Sequence, residues 1–399
     1  MLRKFIYGLC LVALLVIVGG YGYLHTKLPQ RSGEIVLPGL KHKVQVLFDE
    51  WAVPHIEAQN EQDAFLALGY LHAQDRLFQL ELMIRVAQGR LSEILGEDML
   101  DADRYFRTLG ISRFAETYAK DYFHKNPQNV KDALKAYLSG LNAFVSGGPT
   151  PIEFTLLGIS KRKYTIKDLI CTGVYMSYTF TNAVRQDPLL SYIHNTFGAG
   201  YLKDLAVYWP EDDTKINVSG KSSGSALELA ELSFEIANVL SQVPPFFGSN
   251  SWAVSGSRTK SGKVIFANDP HIGYAAPSTW YEAHLKTPDW ELYGHHIAGI
   301  PFAIIGHNRR MAWGVTMLQN DDLDFYLERT NPDNPDQVWF RDDWEDLRII
   351  EETIPVRDSE DYPLRIRISR HGPVINDVLE PVKERVKQPV ALSWQMLSD

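Results

Sequence analysis

The chain has 399 residues, of which 45% are hydrophobic and 12% aromatic, and its formal net charge is −9. This composition can bury a sizeable core, and it excludes a disordered or collagen-like chain. No block of Lys or Arg occurs beyond the extreme N-terminus, which excludes a nucleic-acid-binding surface.

The N-terminal segment combines basic residues with a long apolar run. Arg3 and Lys4 precede residues 5–24, which carry no charged side chain, and Lys27 follows. Such a run is long enough to span a bilayer, and the preceding positive charge orients the rest of the chain away from the cytoplasm. We therefore predict that residues 1–28 are a signal peptide or a membrane anchor, and that the body is exported, periplasmic or anchored to the outer face of the inner membrane. A buried core helix is the minor alternative.

Residues 29–218 carry mainly helical patterns. An alternating, partly β-branched stretch at 44–56 predicts a strand closed by a turn. Apolar residues at helical spacing over 63–95, with Gly69 and Gly89 as interruptions, predict two consecutive helices. Further helices are predicted at 115–122, 129–146 and 166–181.

Residues 219–248 have the composition of a spacer. A Ser- and Gly-rich stretch is followed by an acidic, Ala- and Leu-rich stretch that ends at Pro244-Pro245. Residues 220–224 match the Gly-x-Ser-x-Gly nucleophile motif, but that motif needs a buried strand before it and a helix after it. We therefore interpret 219–248 as a linker and set aside the Ser-His-Asp hydrolase that the motif would imply.

From residue 249 onwards the patterns become those of strands. They are predicted at 252–254, 264–267, 280–285, 297–305, 325–327, 364–368 and 391–394. A helical first half followed by a strand-rich second half indicates an α+β fold rather than alternating βαβ units.

One predicted hairpin brings polar side chains together. Residues 258–262 form a turn between two strands, and a turn centred near residue 260 places Ser249 opposite about residue 271, which is His271. The hairpin would thus carry a hydroxyl and an imidazole to the same end of a sheet. A simple turn into a strand remains the alternative.

Two sets of motifs resemble the penicillin acylase family of N-terminal-nucleophile hydrolases, in the same order and spacing. The first set resembles the start of the family's α-subunit: Val53-Pro54-His55-Ile56, His72-Ala73-Gln74-Asp75-Arg76-Leu77-Phe78-Gln79 and Gly89-Arg90-Leu91. The second set resembles the β-subunit: Gly248-Ser249-Asn250-Ser251-Trp252, Asn268-Asp269-Pro270-His271, Gly306-His307-Asn308 and Arg370-His371-Gly372-Pro373-Val374. The resemblance runs from about residue 33 to the last residue.

The resemblance implies a fold, a zymogen and a nucleophile. The fold would be a four-layer αββα arrangement, and autocatalytic cleavage after Gly248 would free Ser249 as the first residue of the β-subunit. Residues 29–218 and 249–399 would then form a heterodimer of α and β subunits. The new α-amine would act as the base, and Ser249 would attack a small-molecule amide to give an acyl-enzyme that water releases.

The family's other site residues correspond to four positions of this chain. His271 falls where acyl-homoserine lactone acylases and cephalosporin acylases have a His, and where penicillin G acylases have Gln. The backbone amide of Met317 occupies the first oxyanion-hole position. Met176 and Phe180 match the pair that lines the acyl pocket of penicillin G acylases, although core packing at helical spacing is an equal alternative.

The resemblance also implies a structural calcium ion and no organic cofactor. The family's calcium ligands correspond to Asp321, the carbonyl of Leu323, and Asp324, with an acid of the α-subunit near Asp187. A solvated acidic turn is the alternative reading of this stretch.

Substrate and completeness stay open at this stage. A penicillin, a cephalosporin or an N-acyl-homoserine lactone would fit, with His271 slightly favouring the lactones and other fatty-acyl amides. The family's second oxyanion donor, an Asn, lies beyond residue 399, so we expect 249–399 to be the N-terminal part of a β-subunit. The alternative function is that of a truncated, non-catalytic, membrane-tethered binding or vestigial member of the fold.

Overall fold

The computed structural model describes residues 2–181, 183–205, 231, 234–236, 246–317, 322–379 and 386–397. The helices are α1 Leu2–His25, α2 Glu61–Gln88, α3 Ser92–Leu95, α4 Leu100–Leu109, α5 Ile111–Lys125, α6 Gln128–Gly147, α7 Ile152–Leu157, α8 Ile166–Thr179, α9 Ala183–Phe197 and α10 Ala199–Asp204. The first strands are β1 Gln45–Phe48, β2 Pro54–Glu57, β3 Phe246–Val254, β4 Ile265–Ile272, β5 Tyr281–Lys286, β6 Glu291–His296, β7 Ile305–His307 and β8 Ala312–Trp313. The remaining strands are β9 Leu323–Leu327, β10 Thr330–Asn331, β11 Asn334–Phe340, β12 Asp343–Asp346, β13 Arg348–Ile354, β14 Tyr362–Ile368 and β15 Val390–Trp394.

Helices dominate before residue 206 and strands after residue 245 within the described ranges, so the content is that of an α+β protein. The chain divides into two compact units. The first unit comprises 1–81, 122–169 and 276–314, and the second comprises 82–121, 170–275 and 315–399.

The first unit is built on a six-stranded sheet in the order β1-β2-β5-β6-β7-β8. Strand β2 pairs in parallel with β5, so residues far apart in the chain share one sheet. Side chains of β5 and β6 alternate between buried and more accessible, because successive residues of a strand point to opposite faces. The buried face includes Tyr281, Ala283, Leu285 and Leu292.

The N-terminal part of α2 covers this buried face. Asn60 caps the helix, since its side-chain oxygen accepts the Asp63 N–H at 2.9 Å. The ring of His72 contacts that of Tyr281 at a centroid distance of 4.4 Å. Helix α6 packs closely on α2, because a Cβ on Gly69 would overlap the backbone carbonyl of Tyr137.

The second unit has its main core between α4, α8 and β15. Tyr105, Phe106 and Tyr178 are buried there, and the Tyr178 ring lies 5.3 Å from that of Trp394. Its other strands form the hairpin β3–β4, the sheet β10-β11-β12 and the pairs β13–β14 and β15–β9. Ile236, which belongs to the predicted spacer, is buried in this core. Residues 219–230 and 237–245 of that spacer, including the Gly-x-Ser-x-Gly match, lie outside the described residues.

Three predicted elements differ from the structure. The single strand at 44–56 is a hairpin of β1 and β2, because a turn at 49–53 reverses the chain. Gly89, with φ of +61°, separates α2 from α3, whereas Gly69 lies within α2 where α6 approaches it. The strand at 297–305 is wrong, since Gly299 has φ of +94° and Pro301 offers no backbone N–H to a ladder.

Helix α1 is exposed along its length. Its segment Arg3–His25 is long and apolar enough to cross a membrane, a property that a signal sequence shares.

Candidate active site

The predicted hairpin is present, with a register one residue away from the prediction. Strands β3 and β4 pair so that Ser249 opposes Pro270 and Gly248 opposes His271. A shift of one residue moves a side chain to the other face of a strand pair. The imidazole of His271 accordingly lies with Asp269 and Asn250, at 3.0 Å and 3.4 Å. His271 thus opposes Gly248 rather than Ser249, at the predicted end of the hairpin.

His271 nevertheless lies beside the proposed cleavage point. A Cβ built on Gly248 would be 3.9 Å from Nδ1 of His271. Gly248 has φ of +151°, which side-chain-bearing residues rarely adopt, so glycine suits this position. The ring is thus close to the backbone on the N-terminal side of Ser249.

The hydroxyl of Ser249 meets one backbone donor. The N–H of Met317 donates to Ser249 Oγ at 2.9 Å, and both residues are half-buried. If this hydroxyl attacked a carbonyl carbon, a main-chain N–H so placed could stabilise the oxyanion on that carbon, because both oxygens would be bonded to it. The structure therefore brings together two of the predicted site residues.

Asn268 holds the segment that carries Met317. Its side-chain oxygen accepts the Val315 N–H at 3.1 Å, and its amide donates to the Val315 carbonyl at 3.0 Å. The same amide also donates to the carbonyl of Asn250 at 3.2 Å. Asn268 has no predicted role of its own, although a polar side chain inside an otherwise strand-like run was a usable signal.

The predicted acyl-pocket pair lies at the end of α8. Met176 is in the last turn of the helix and Phe180 directly follows it, and both are half-buried. Partial burial suits either a pocket wall or the margin of a core.

The positions predicted to bind calcium lie on two elements that pack together. Leu323 and Asp324 belong to β9, which lies against α9, the helix that carries Asp187. Asp321 lies outside the described residues. Among the residues that the structure describes, no group of three or more His, Cys, Asp or Glu side chains is arranged to hold a metal ion.

The orientation of one backbone oxygen suits a cation ligand. The Gln395 N–H donates to the carbonyl of Asp322 at 2.9 Å, and Leu323 opposes Trp394. Because hydrogen-bonded and non-hydrogen-bonded pairs alternate in antiparallel strands, the Leu323 carbonyl points away from β15. Carboxylate and backbone carbonyl oxygens are the ligands that Ca²⁺ prefers.

Ser249 Oγ thus accepts a backbone N–H, and Ser249 follows a glycine near one end of the β3–β4 pair. The family model described as Penicillin amidase matches residues 43–399, and the chain belongs to this family.

The comparisons also give individual relatives. The penicillin acylase 2 proenzyme of Pseudomonas sp. (strain SE83) is 34% identical over 384 residues, covering 90% of this chain and 47% of that protein. The acyl-homoserine lactone acylase QuiP of Pseudomonas aeruginosa is 28% identical, covering 92% of this chain and 44% of that protein. The penicillin G acylase of Escherichia coli is 25% identical, covering 84% and 46%. The chain thus spans about half the length of these curated relatives.

Among solved structures, the thermostable penicillin G acylase from Alcaligenes faecalis in its tetragonal form is similar. It has a TM-score of 0.33 and 21% identity, with 45% of this chain and 97% of that chain covered.

Proposed function

We propose that this protein is a self-processing amidohydrolase that cleaves a linear N-acyl bond through Ser249. The observation that carries the proposal is the 2.9 Å hydrogen bond from the Met317 N–H to Ser249 Oγ, next to Gly248. The family membership supports the reaction class, because the relatives are named as acylases of penicillins and of acyl-homoserine lactones.

Self-processing is an N-to-O acyl shift. Ser249 Oγ attacks the carbonyl carbon of Gly248, and the bond from that carbon to the Ser249 nitrogen breaks. The nitrogen takes up the proton that the hydroxyl loses. Water then hydrolyses the resulting ester, which leaves a carboxylate on Gly248 and a free amine on Ser249. The Met317 N–H would stabilise the intermediate, and the position of His271 beside Gly248 suits an imidazole that orients the new amine.

Turnover repeats this chemistry on an external amide. An α-amine with an ordinary pKa of about 7.7–8.0 is partly neutral near pH 7.5, so it can accept the hydroxyl proton directly or through one water. The acyl group passes to Ser249 Oγ, and the amine product leaves with the proton. Met176 and Phe180 would line the acyl side of the pocket.

The proposed substrates are a penicillin or cephalosporin side-chain amide and an N-acyl-homoserine lactone. Hydrolysis of phenylacetyl and fatty-acyl amides, measured side by side as amine release, tests the proposal. Release of amine by the wild-type chain, absent from Ser249→Ala, supports it. Amine release that persists in Ser249→Ala would show that the reaction takes place at another site. A chain that hydrolyses neither class of amide and stays in one piece would be the non-catalytic binding protein.

The proposed structural metal is Ca²⁺. Asp187 and Asp324 would supply carboxylate oxygens and Leu323 its carbonyl, and the ion would join α9 to β9. A bound ion stabilises the folded state by about 2.7 kcal/mol when its concentration is 100 times its Kd. We expect Ca²⁺ to raise the Tm of the wild type and to leave that of Asp324→Asn unchanged. An equal rise in Tm of the two proteins on adding Ca²⁺ would show that Asp324 of β9 does not bind the ion.

Residues 1–28 are proposed to export the chain, and α1 is the described feature that supports this. The body is then periplasmic or anchored to the outer face of the inner membrane, where the two proposed subunits meet their amide substrate.

A further inference from the structure

Helix α1 meets the rest of the first unit near its C-terminal end. The side chain of Tyr23 interacts with that of Thr155 in α7, and Lys27 Nζ lies 4.8 Å from the centroid of the Tyr23 ring. Both helices belong to the first unit. The large apolar side chains of α1 are exposed, as those of a helix surrounded by lipid would be.

The apolar run of α1 ends close to this contact. Residues 5–24 carry no charged side chain, and at about 1.5 Å per residue they span about 30 Å, the thickness of the hydrocarbon core of a bilayer. If residues 1–28 stay in the membrane, Tyr23 lies at the membrane–water interface, where tyrosine rings are enriched. The contact between Tyr23 and Thr155 then places α7 at the level of the lipid headgroups.

Helix α7 turns one face to the protein and another to solvent. Phe154 is fully buried, with its ring centroid 6.1 Å from that of Phe78, whereas Leu156 is 77% exposed. Two positions differ by about 200° around a helix, so Leu156 points away from the face that holds α7 in the unit. Leu28, which follows α1, is 59% exposed. Two exposed leucines therefore lie on segments that adjoin the end of α1.

Lysine side chains gather at the same junction. Burial lowers the pKa of Lys161, and the nearby charge of Lys27 lowers it further. Lys163 is exposed, and residues 152–163 carry three basic side chains against one carboxylate, that of Glu153. Because ammonium groups this close repel each other, an anion placed beside them lowers the energy of the pair.

We propose that the first unit docks on a bilayer surface that carries anionic headgroups. The docking face comprises two leucines and three lysines, Leu28, Leu156, Lys27, Lys161 and Lys163. The leucines enter the boundary between headgroups and acyl chains, and the long lysine side chains carry their charges to the phosphates.

This inference rests on the proposed membrane targeting of residues 1–28. It adds that the segment stays attached to the chain and that the folded body lies on the membrane through α7 rather than hanging from a free tether. All five residues of the docking face belong to the first unit, whereas Ser249 belongs to the second. The inference therefore does not depend on the proposed amide hydrolysis.

A fluorescent probe on α7 tests the docking in the full chain. Leu156→Cys, combined with Cys10→Ala, is labelled with a nitrobenzoxadiazole dye; Cys171 is buried, so position 156 carries the accessible thiol. Quenching by a nitroxide-labelled lipid reports contact between the probe and the bilayer. We expect strong quenching in vesicles of phosphatidylcholine with phosphatidylglycerol, and weaker quenching in vesicles of phosphatidylcholine alone.

The matched control is a probe at the other end of α6. Lys161 contacts the C-terminal end of that helix, since its Nζ donates to the carbonyl of Gly148. Asn129 is exposed in the first turn, about 27 Å from Gly147 along the helix axis. The same dye on Asn129→Cys should be quenched less than the dye at position 156 in both kinds of vesicle.

Lysine substitutions test the contact with headgroup charge. A lysine close to an anionic surface contributes about 5-fold to binding. Lys27→Gln and Lys163→Gln should therefore each lower the ratio of docked to undocked chains about 5-fold, seen as a loss of quenching at position 156. Lys125→Gln, an exposed lysine close in sequence to the start of α6, is the control and should leave the quenching unchanged.

Carbonate extraction of the vesicles shows separately whether residues 1–28 stay embedded. Release of the chain by carbonate would contradict the anchor and this inference with it. A retained chain whose probes at positions 156 and 129 are quenched equally would overturn the docking face alone, and equal quenching in the two kinds of vesicle would refute the contact with anionic headgroups. Neither readout uses amide hydrolysis, so an inactive amidase leaves both results unchanged.

Discussion

At the scale of single residues, Asn268 is the support of the proposed oxyanion donor. Its side chain makes two hydrogen bonds to the backbone of Val315, two residues before Met317. We predict that Asn268→Ala slows self-processing by on the order of 10²-fold, the lower end of what loss of one oxyanion-hole donor costs.

The rate of appearance of the cleaved fragment on a denaturing gel measures this effect. Asn268→Asp keeps the acceptor for the Val315 N–H and should be intermediate. Ser251→Ala removes a hydroxyl from the same hairpin, which donates to the Ala267 carbonyl at 3.3 Å, and should process at the wild-type rate. Equal rates for Asn268→Ala and the wild type would show that Met317 holds its place without this side chain.

The buried side chain of His296 is expected to make the folded protein less stable in acid. Burial lowers its pKa from 6.5 to about 4, and contacts with the backbone of Ile300 and Pro301 only partly oppose this. His72, whose ring lies 5.8 Å away, also has a pKa lowered by burial, by His296 and by Arg76.

The sign of the pH effect follows from these directions. His296 in the unfolded chain takes up a proton near pH 6.5, whereas folded His296 does so only near pH 4. His296 therefore does not reduce the free energy of unfolding above pH 6.5, and it lowers that free energy as the pH drops from 6.5 to 4. The loss is about 3 kcal/mol for His296 alone. Urea unfolding at pH 7.5 and pH 5 should show a smaller pH difference for His296→Gln than for the wild type. His307→Gln, in the same sheet, is the control, because His307 does not contribute to the lowered pKa of His296. An unchanged difference in His296→Gln would contradict the assignment.

At the scale of elements, the contact of α2 with α6 sets a strict limit on side-chain size. A Cβ on Gly140 would overlap the carbonyl oxygen of Leu66, and one on Gly69 would overlap that of Tyr137. We predict that Gly140→Ala lowers the free energy of unfolding by about 1–3 kcal/mol, as overpacking does elsewhere. Gly147→Ala, in the same helix but with open space around it, should change stability little, and similar melting temperatures for the two variants would argue against the close approach.

Which elements the sequence predicts depends on whether their signal is local. Apolar spacing predicted α6 and α8 to within two residues at each end, because each buries a stripe with the helical period. The same reasoning placed a break at Gly69, where the structure has an uninterrupted helix, since a helix–helix contact is invisible in a single stretch of sequence. The pairing of β2 with β5 was likewise out of reach, because the two strands are more than 200 residues apart.

The β3–β4 hairpin was predicted from the sequence, but its register was not. The turn near residue 260 predicted the pairing of β3 with β4 and the end of the sheet that carries Ser249 and His271, yet the register differs by one residue. The register of β3 and β4 depends on the conformation of the connecting turn, which contains a short helical turn at Gly256–Arg258. The backbone donor at Met317 followed from the family resemblance and could not have been derived from side-chain type.

At the scale of the whole molecule, the family match from 43 to 399 and the α+β content agree with the sequence-based expectation. The chain spans about half the length of the curated relatives, so their activities stay proposals for it. If the chain is cut after Gly248, the parallel pairing of β2 with β5 still joins its two parts. The two fragments should therefore elute together in native size-exclusion chromatography and separate in denaturant.

In the proposed function, Ser249 cuts the chain before it acts on any substrate. Intact mass and N-terminal sequencing of the exported protein, wild type beside Ser249→Ala, test it most directly. We expect a fragment that begins Ser-Asn-Ser-Trp in the wild type and no such fragment in the variant. A wild-type chain that remains in one piece, or a variant that is cut at the same bond, would contradict it.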